Sequence, residues 1–309
     1  MQALALPLSA VAALLLVTLN ALPAQAQAWL ASFGSDANPC TRANPCATLQ
    51  RAYDVTLPGG EIRCVDAANV VGGVTIMKSI TIDCEDNIAS VPFGFSINVA
   101  ASDVVTLKGL DIHAISTSVG VYLFAGAGLL QLDKVTIRNP GGSGLIFIPD
   151  GPAKLVMSDC VVSDNPIYNI LIKPTNGAAV QAIFDRVTVA GAVFGIKADG
   201  SGQASGQIDV DVRDSVVAHN VNNGFIAVSD AGQAPIHYKI TRSTGFNNGA
   251  FGAVATGAQA FMIVSGSSLT KNGTGLGQLD SSTVATYTNN DVNFNTVNVS
   301  GTITAIPQR

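Results

Sequence analysis

Charge is scarce in this sequence. Asp, Glu, Lys and Arg make up 12% of 309 residues, and 16 basic against 21 acidic side chains leave a net charge of −5. No basic run occurs, and a phosphate backbone needs clustered Lys and Arg, so nucleic acid is not expected as a partner. Aromatic residues are also few, at 6%, with Trp29 the single tryptophan, so no row of rings for stacking sugars is visible. Beyond residue 28 there is no apolar run of the roughly 20 residues that cross a bilayer. The five cysteines include no C-x-x-C pair and have no histidine near them, which argues against a zinc knuckle.

The abundant residues are Gly, of which there are 31, with Val, Ile, Thr, Ser and Asn, a composition of short strands punctuated by turns. Residues 1–28 stand apart. They carry no charge, an apolar stretch from Val11 to Leu19, and then Ala24-x-Ala26 and Ala26-x-Ala28, both of which fit a signal-peptidase site. The expectation is a signal peptide over 1–26 and a secreted or periplasmic protein. The absence of Lys or Arg near Met1 departs from a standard signal and leaves the true start open. Export permits disulfides. Cys40 with Cys46 and Cys64 with Cys84 is the favoured pairing because each is local, although four cysteines also allow crossed pairs. Cys160 stands alone.

An internal repeat organises the rest. Aligning Lys78–Ile82, Lys108–Ile112, Asp133–Ile137, Ser158–Val162, Asp185–Val189, Arg213–Val217, Thr241–Gly245, Ser265–Leu269 and Thr288–Val292 gives middle residues Ile80, Leu110, Val135, Cys160, Val187, Ser215, Ser243, Ser267 and Asn290. Nine coils of about 25 residues follow from this spacing. Three residues before each middle residue, from Leu110 onward, stand Leu107, Leu132, Met157, Phe184, Val212, Ile240, Val264 and Tyr287. The alternation on both sides of a bend predicts two strands per coil facing one interior. A third strand appears as Gly144–Ile148, Asn169–Ile172, Gly195-Ile196, Gly224–Val228 and Gly252–Ala255. The turn before it carries Asn139, Asn165, Asn220, Asn248, Asn272 and Asn295, which can hydrogen-bond from coil to coil.

Three strands per coil with a tight Asn turn resemble the right-handed parallel β-helix of the pectate-lyase-like superfamily, over residues 61–309. That fold hosts lyases, hydrolases, adhesins and phage tailspikes, so the resemblance implies architecture rather than activity. A second resemblance covers residues 27–60. Gly34-Ser-Asp-Ala-Asn-Pro39, Asn44-Pro45 and Ala47-Thr-Leu-Gln-Arg-Ala52 look like the opening segment of secreted bacterial β-helix proteins, where a short amphipathic helix closes the first coil. Leu49, Ala52 and Tyr53 would form its apolar side and Pro58-Gly59-Gly60 its end. The run from Thr283 to Arg309 is expected to cover the other end of the solenoid.

Candidate chemistry is sparse. Cys160, Ser215, Ser243 and Asn290 point inward and are expected to pack, the thiol as a small hydrophobe and the others as a polar stack. Lys134, Asp159, Arg186, Asp214 and Arg242 alternate in sign on successive coils and predict a structural charge ladder. The remaining patch lies on outward positions of the first strand, where Asp209 and Asp211 are followed one coil later by His237 and Lys239, with Arg213, Lys154 and Gln181 nearby. A solvated strand face is the plain reading. The sharper one is an acid and base set, or a calcium site at Asp209 and Asp211. In pectate-lyase-like enzymes the site lies on such an outward face, which is what the resemblance implies for Asp209, Asp211, His237, Lys239 and Arg213. The polygalacturonase-like set of N-T-D, a D-D pair, G-H-G and R-I-K is absent.

The sequence therefore predicts a secreted, monomeric β-helix that binds a polysaccharide or a cell-surface partner on its strand face, without cofactor unless calcium. A divergent polysaccharide lyase or glycoside hydrolase is the first alternative, and an adhesin-like surface protein the second.

Overall fold

The computed structural model describes residues 25–67, 73–115, 117–126 and 128–307. The chain winds as a right-handed parallel β-helix of about nine turns, its strands stacked into three parallel sheets of 12, 8 and 10 strands. A typical coil lays Gly128–Asp133 in the first sheet, Thr136–Arg138 in the second and Ser143–Phe147 in the third. Most of the signal segment lies outside the described residues. Gln25 and Ala26 belong to the strand Gln25–Leu30, the outermost strand of the first sheet.

The period-two pattern produces the core. Leu107, Leu132, Met157, Phe184, Val212, Ile240 and Val264 fall in one register column and are fully buried. Burying each such side chain contributes about 1.5–3 kcal/mol. The last coil slips by one from the sequence alignment, because Thr286 rather than Tyr287 pairs with Val264 and Val284 fills the core beside Met262. At the other end Ile80 pairs with Val105, and Ala89 takes the place opposite Leu110. Ile80 is thus not the middle residue of its coil. Residues 84–88 are an insertion that a fixed period could not locate.

Two left-handed turns per coil close the winding. The first column holds Gly109, Lys134, Asp159, Arg186, Asp214, Arg242 and Gly266, with φ between 45° and 58°. The second, four residues after each middle position, holds Ala114, Asn139, Asp164, Gly191, His219, Asn247, Lys271 and Phe294. Asn139 therefore sits in a left-handed turn and is not part of the internal ladder. That ladder runs through Asn220, Asn248, Asn272 and Asn295, each Nδ2 donating to the next Oδ1 at 2.8, 3.0 and 3.1 Å. Where Ala192 interrupts it, Asn169 bridges, accepting from Asn165 at 2.6 Å and donating to Asn220 at 3.1 Å. A second ladder is built from hydroxyls. The backbone N–H groups of Val187, Ser215 and Ser243 donate to Oγ of Ser215, Ser243 and Ser267, and that of Ser267 to Oδ1 of Asn290, at 2.8–3.2 Å.

The N-terminal end is closed by one helix, Leu49–Val55, the only helix among the described residues. Thr48 caps it, accepting from the Arg51 N–H, and Leu49, Ala52 and Val55 are buried. The helix ends at Val55, so Pro58-Gly59-Gly60 lies within the following strand, Thr56–Cys64. Disulfides join Cys40 to Cys46 and Cys64 to Cys84. The small disulfide loop lies along the free edge of Gln25–Leu30, where Trp29 N–H donates to Cys40 C=O and Cys46 N–H to Trp29 C=O at 2.8 Å. Open strand edges invite pairing with other chains, and this loop occupies one. At the far end Val297–Ser300 and Ile303–Ala305 add outermost strands to the third and first sheets, with Val297 and Val299 exposed.

Candidate functional site

The outer face of the first sheet is where parallel register and charge coincide. Each strand there presents alternate residues to solvent, and the in-register stack turns those positions into columns. One column reads Val104, Leu129, Lys154, Gln181, Asp209, His237 and Phe261, and the next reads Thr106, Gln131, Val156, Ile183, Asp211, Lys239 and Ile263. Asp209 is thus directly beside His237, and Asp211 beside Lys239.

Side chains follow the register only in part. Asp209 Oδ1 lies 3.2 Å from His237 Nδ1. Gln207, one residue before the strand, donates from Nε2 to Asp209 Oδ1 at 2.7 Å and lies 3.3 Å from His237 Nδ1, so it holds the two together. The His237 ring meets Phe261 edge-on at 6.1 Å between centroids. Asp211 and Lys239 make no ion pair or side-chain hydrogen bond with the described residues, which leaves both polar ends free toward solvent. Gln181, Ile183, Asp209, Asp211, His237 and Lys239 line a depression of about 360 Å³.

A larger depression, of about 570 Å³, continues toward the N-terminal coils and shares Gln181 and Asp209 with the first. Val104, Leu129, Pro152, Ala153 and Val180 give it an apolar floor, and Asp103 and Lys154 supply charge at its sides. A hydrogen bond from Ser79 holds the Asp103 carboxyl below the usual carboxylate range, against a smaller opposing effect of burial. The two depressions together cross six strands, from Val104 to His237, which at about 4.8 Å per strand makes a groove about 24 Å long.

Arg213 belongs elsewhere. Its Nε donates to Asp185 at 3.0 Å, and it does not line the depression. Calcium takes six to eight oxygens, and Asp209 and Asp211 stand alone with one of them already engaged by His237 and Gln207. No group of three or more His, Cys, Asp or Glu converges among the described residues. The residue types here do not complete a calcium site.

The left-handed column forms discrete pairs rather than a continuous ladder. Arg186 grips Asp159 at 2.7 and 2.8 Å and also bonds Asp185, while Arg242 grips Asp214 at 2.8 and 2.6 Å. Lys134 turns away from Asp159 and reaches past Gly109 to Glu85. Cys160 is buried, donates to Ser158 C=O at 3.1 Å, and has its thiol pushed up to about 12 by burial. It is a packing residue.

Two features lie outside the pattern of strand alternation on the first sheet. Gln207 lies in a turn, outside the alternating pattern that revealed its neighbours. On the third sheet Asp199 is almost fully buried, 2.9 Å from Lys197 and 3.4 Å from Lys173, with Ser201 donating to it. Burial alone would raise its pKa, but the hydrogen bonds from Ser201 and Lys197 and the Lys197 charge hold it low. The alternating Lys197-x-Asp199-x-Ser201 run was the available signal.

No protein-family model and no curated protein matches this sequence. Among solved structures, a rhamnogalacturonan lyase is similar over 82% of this chain and 82% of its own, at 12% identity and a TM-score of 0.41. A likeness of that size carries no argument about activity, and what the chain can do has to be read from its own groove.

Proposed function

We propose that this protein is exported and binds an extended polysaccharide along the outer face of its first sheet. The observation that carries this reading is the continuity of the two depressions through Gln181 and Asp209, which gives one open groove rather than a closed pocket. Its apolar floor suits the C–H faces of sugar rings, and Lys154, Gln181, Asp209 and His237 offer hydrogen bonds at intervals of one coil. Two disulfides and the apolar leader with its small-residue cleavage sites support export. No helix of the described residues is long and apolar enough to cross a membrane.

A second reading is favoured by one contact. Asp209 beside His237, with Lys239 unpaired two positions further along the same strand, is an arrangement in which a base could remove a sugar proton or an acid could protonate a leaving oxygen. The test separates the readings. A panel of acidic and neutral polysaccharides is titrated against the protein by calorimetry, and the same mixtures are followed for reducing ends and for unsaturated-product absorbance. Saturable binding with neither product is the expected result. Turnover lost in Asp209→Asn and in Lys239→Gln would establish the second reading, and no binding to any member of the panel would remove both.

A further inference from the structure

A separate feature sits at the N-terminal end of the first sheet, seven strand spacings or about 34 Å from Asp209. There Trp29, Arg42, Arg63, Cys64, Asp86 and Asn87 line a predominantly polar cavity of about 260 Å³. Trp29 and Arg63 are register partners on adjacent strands, both pointing outward. Arg42 comes from the Cys40–Cys46 disulfide loop. Its guanidinium carbon lies 5.2 Å from the centre of the Trp29 ring and that of Arg63 lies 5.8 Å away, both within cation–π range.

We propose that this cavity is a binding site for a small oxyanion, a carboxylate, sulfate or phosphate group carried by a ligand. Its lining holds two guanidiniums against one carboxylate. Arg63 contacts Asp86 at 3.3 Å and, more loosely, Glu61 at 4.0 Å, but the Asp86 side chain is 80% exposed and held by its Arg63 contact alone, so an incoming anion can displace it. Arg42 makes no ion pair or side-chain hydrogen bond with the described residues. Arg138, Arg186, Arg213 and Arg242, by contrast, are each matched to a carboxylate. A guanidinium stacked on an aromatic ring keeps its in-plane N–H donors free, and the ring limits the freedom that binding would otherwise remove. Both disulfides help to shape the site, one through the Arg42 loop and the other through Cys64, which lines the cavity beside Asp86 and Asn87.

Trp29 is the only tryptophan in the chain, so its emission reports on this cavity alone. The protein is titrated with sodium sulfate, sodium phosphate and sodium glucuronate, each against sodium chloride at matched ionic strength. The expected result is a saturable change in Trp29 emission with at least one oxyanion and none with chloride. The preferred anion distinguishes a tetrahedral sulfate or phosphate group from a planar carboxylate. Arg42→Gln, with an unchanged melting temperature, should weaken binding at least tenfold, and Asp86→Asn should tighten it by removing the internal competitor. A response equal to that of chloride, or an affinity unchanged in both Arg42→Gln and Arg63→Gln, would overturn the proposal.

Discussion

The inside and the outside of this solenoid are built by the same device with opposite chemistry. Each stacks one polar residue per coil. Inside, neutral amides and hydroxyls run through Asn220 to Asn295 and through Ser215 to Asn290, every coil feeding the next. Outside, the left-handed turn carries full charges that settle into separate pairs, Asp159 with Arg186 and Asp214 with Arg242. The difference follows from solvent. A buried charge is costly to desolvate, so an interior stack has to be neutral and hydrogen-bonded from coil to coil, whereas at the surface water screens each ion pair and little is gained by linking them.

The internal ladder is most vulnerable at Asn248. Its side chain accepts from the Asn220 N–H and Nδ2 and donates to Val217 C=O and Asn272 Oδ1. Asn248→Ala strands buried partners on both neighbouring coils, and a loss of about 3 kcal/mol is expected in urea denaturation. Ser243→Ala removes the acceptor for the Ser215 N–H and should cost less, about 1–2 kcal/mol in the same experiment. The exposed Asp214→Asn should shift the midpoint less than either, and the shift should shrink further in molar salt.

Acid sharpens the same contrast. The hydrogen bonds and charges of Arg186 and Arg242 hold the Asp159 and Asp214 carboxyls below their ordinary value of 3.8. A carboxylate whose folded pKa is depressed stabilises the fold fully above the unfolded value and loses that contribution as pH falls through the folded one. Any acid destabilisation from these pairs is therefore expected only below about pH 4. The amide and hydroxyl ladders should be indifferent to pH over that range. Cys160 provides a check on the interior: with its thiol raised to about 12 and buried, it should resist alkylation at pH 8 in the folded protein and react once urea unfolds it.

The architecture was legible in the sequence because a solenoid repeats its physics. Apolar columns such as Leu107 to Val264 recur at every coil, and small errors of spacing leave the pattern intact. It failed where the period broke. The insertion at residues 84–88 displaced Ile80 from the middle position, and the shorter last coil moved the core column from Tyr287 to Thr286. Asn139 misled for a different reason, since both the left-handed turn and the ladder favour asparagine and only the backbone angle separates them. Of the candidate site, strand alternation was enough to place Asp209, Asp211, His237 and Lys239 on one face. It could not reveal that Arg213 is drawn to Asp185, that Gln207 links Asp209 to His237, or that the groove continues to Val104.

Gln181 is shared by both halves of that groove. The most direct measurement is calorimetric titration of a bound polysaccharide against the native protein and against Gln181→Trp, which fills the centre of the groove from an outward strand position. Loss of at least tenfold in affinity at an unchanged melting temperature is the predicted result. Undiminished binding by the Gln181→Trp protein would place the ligand elsewhere and contradict the account.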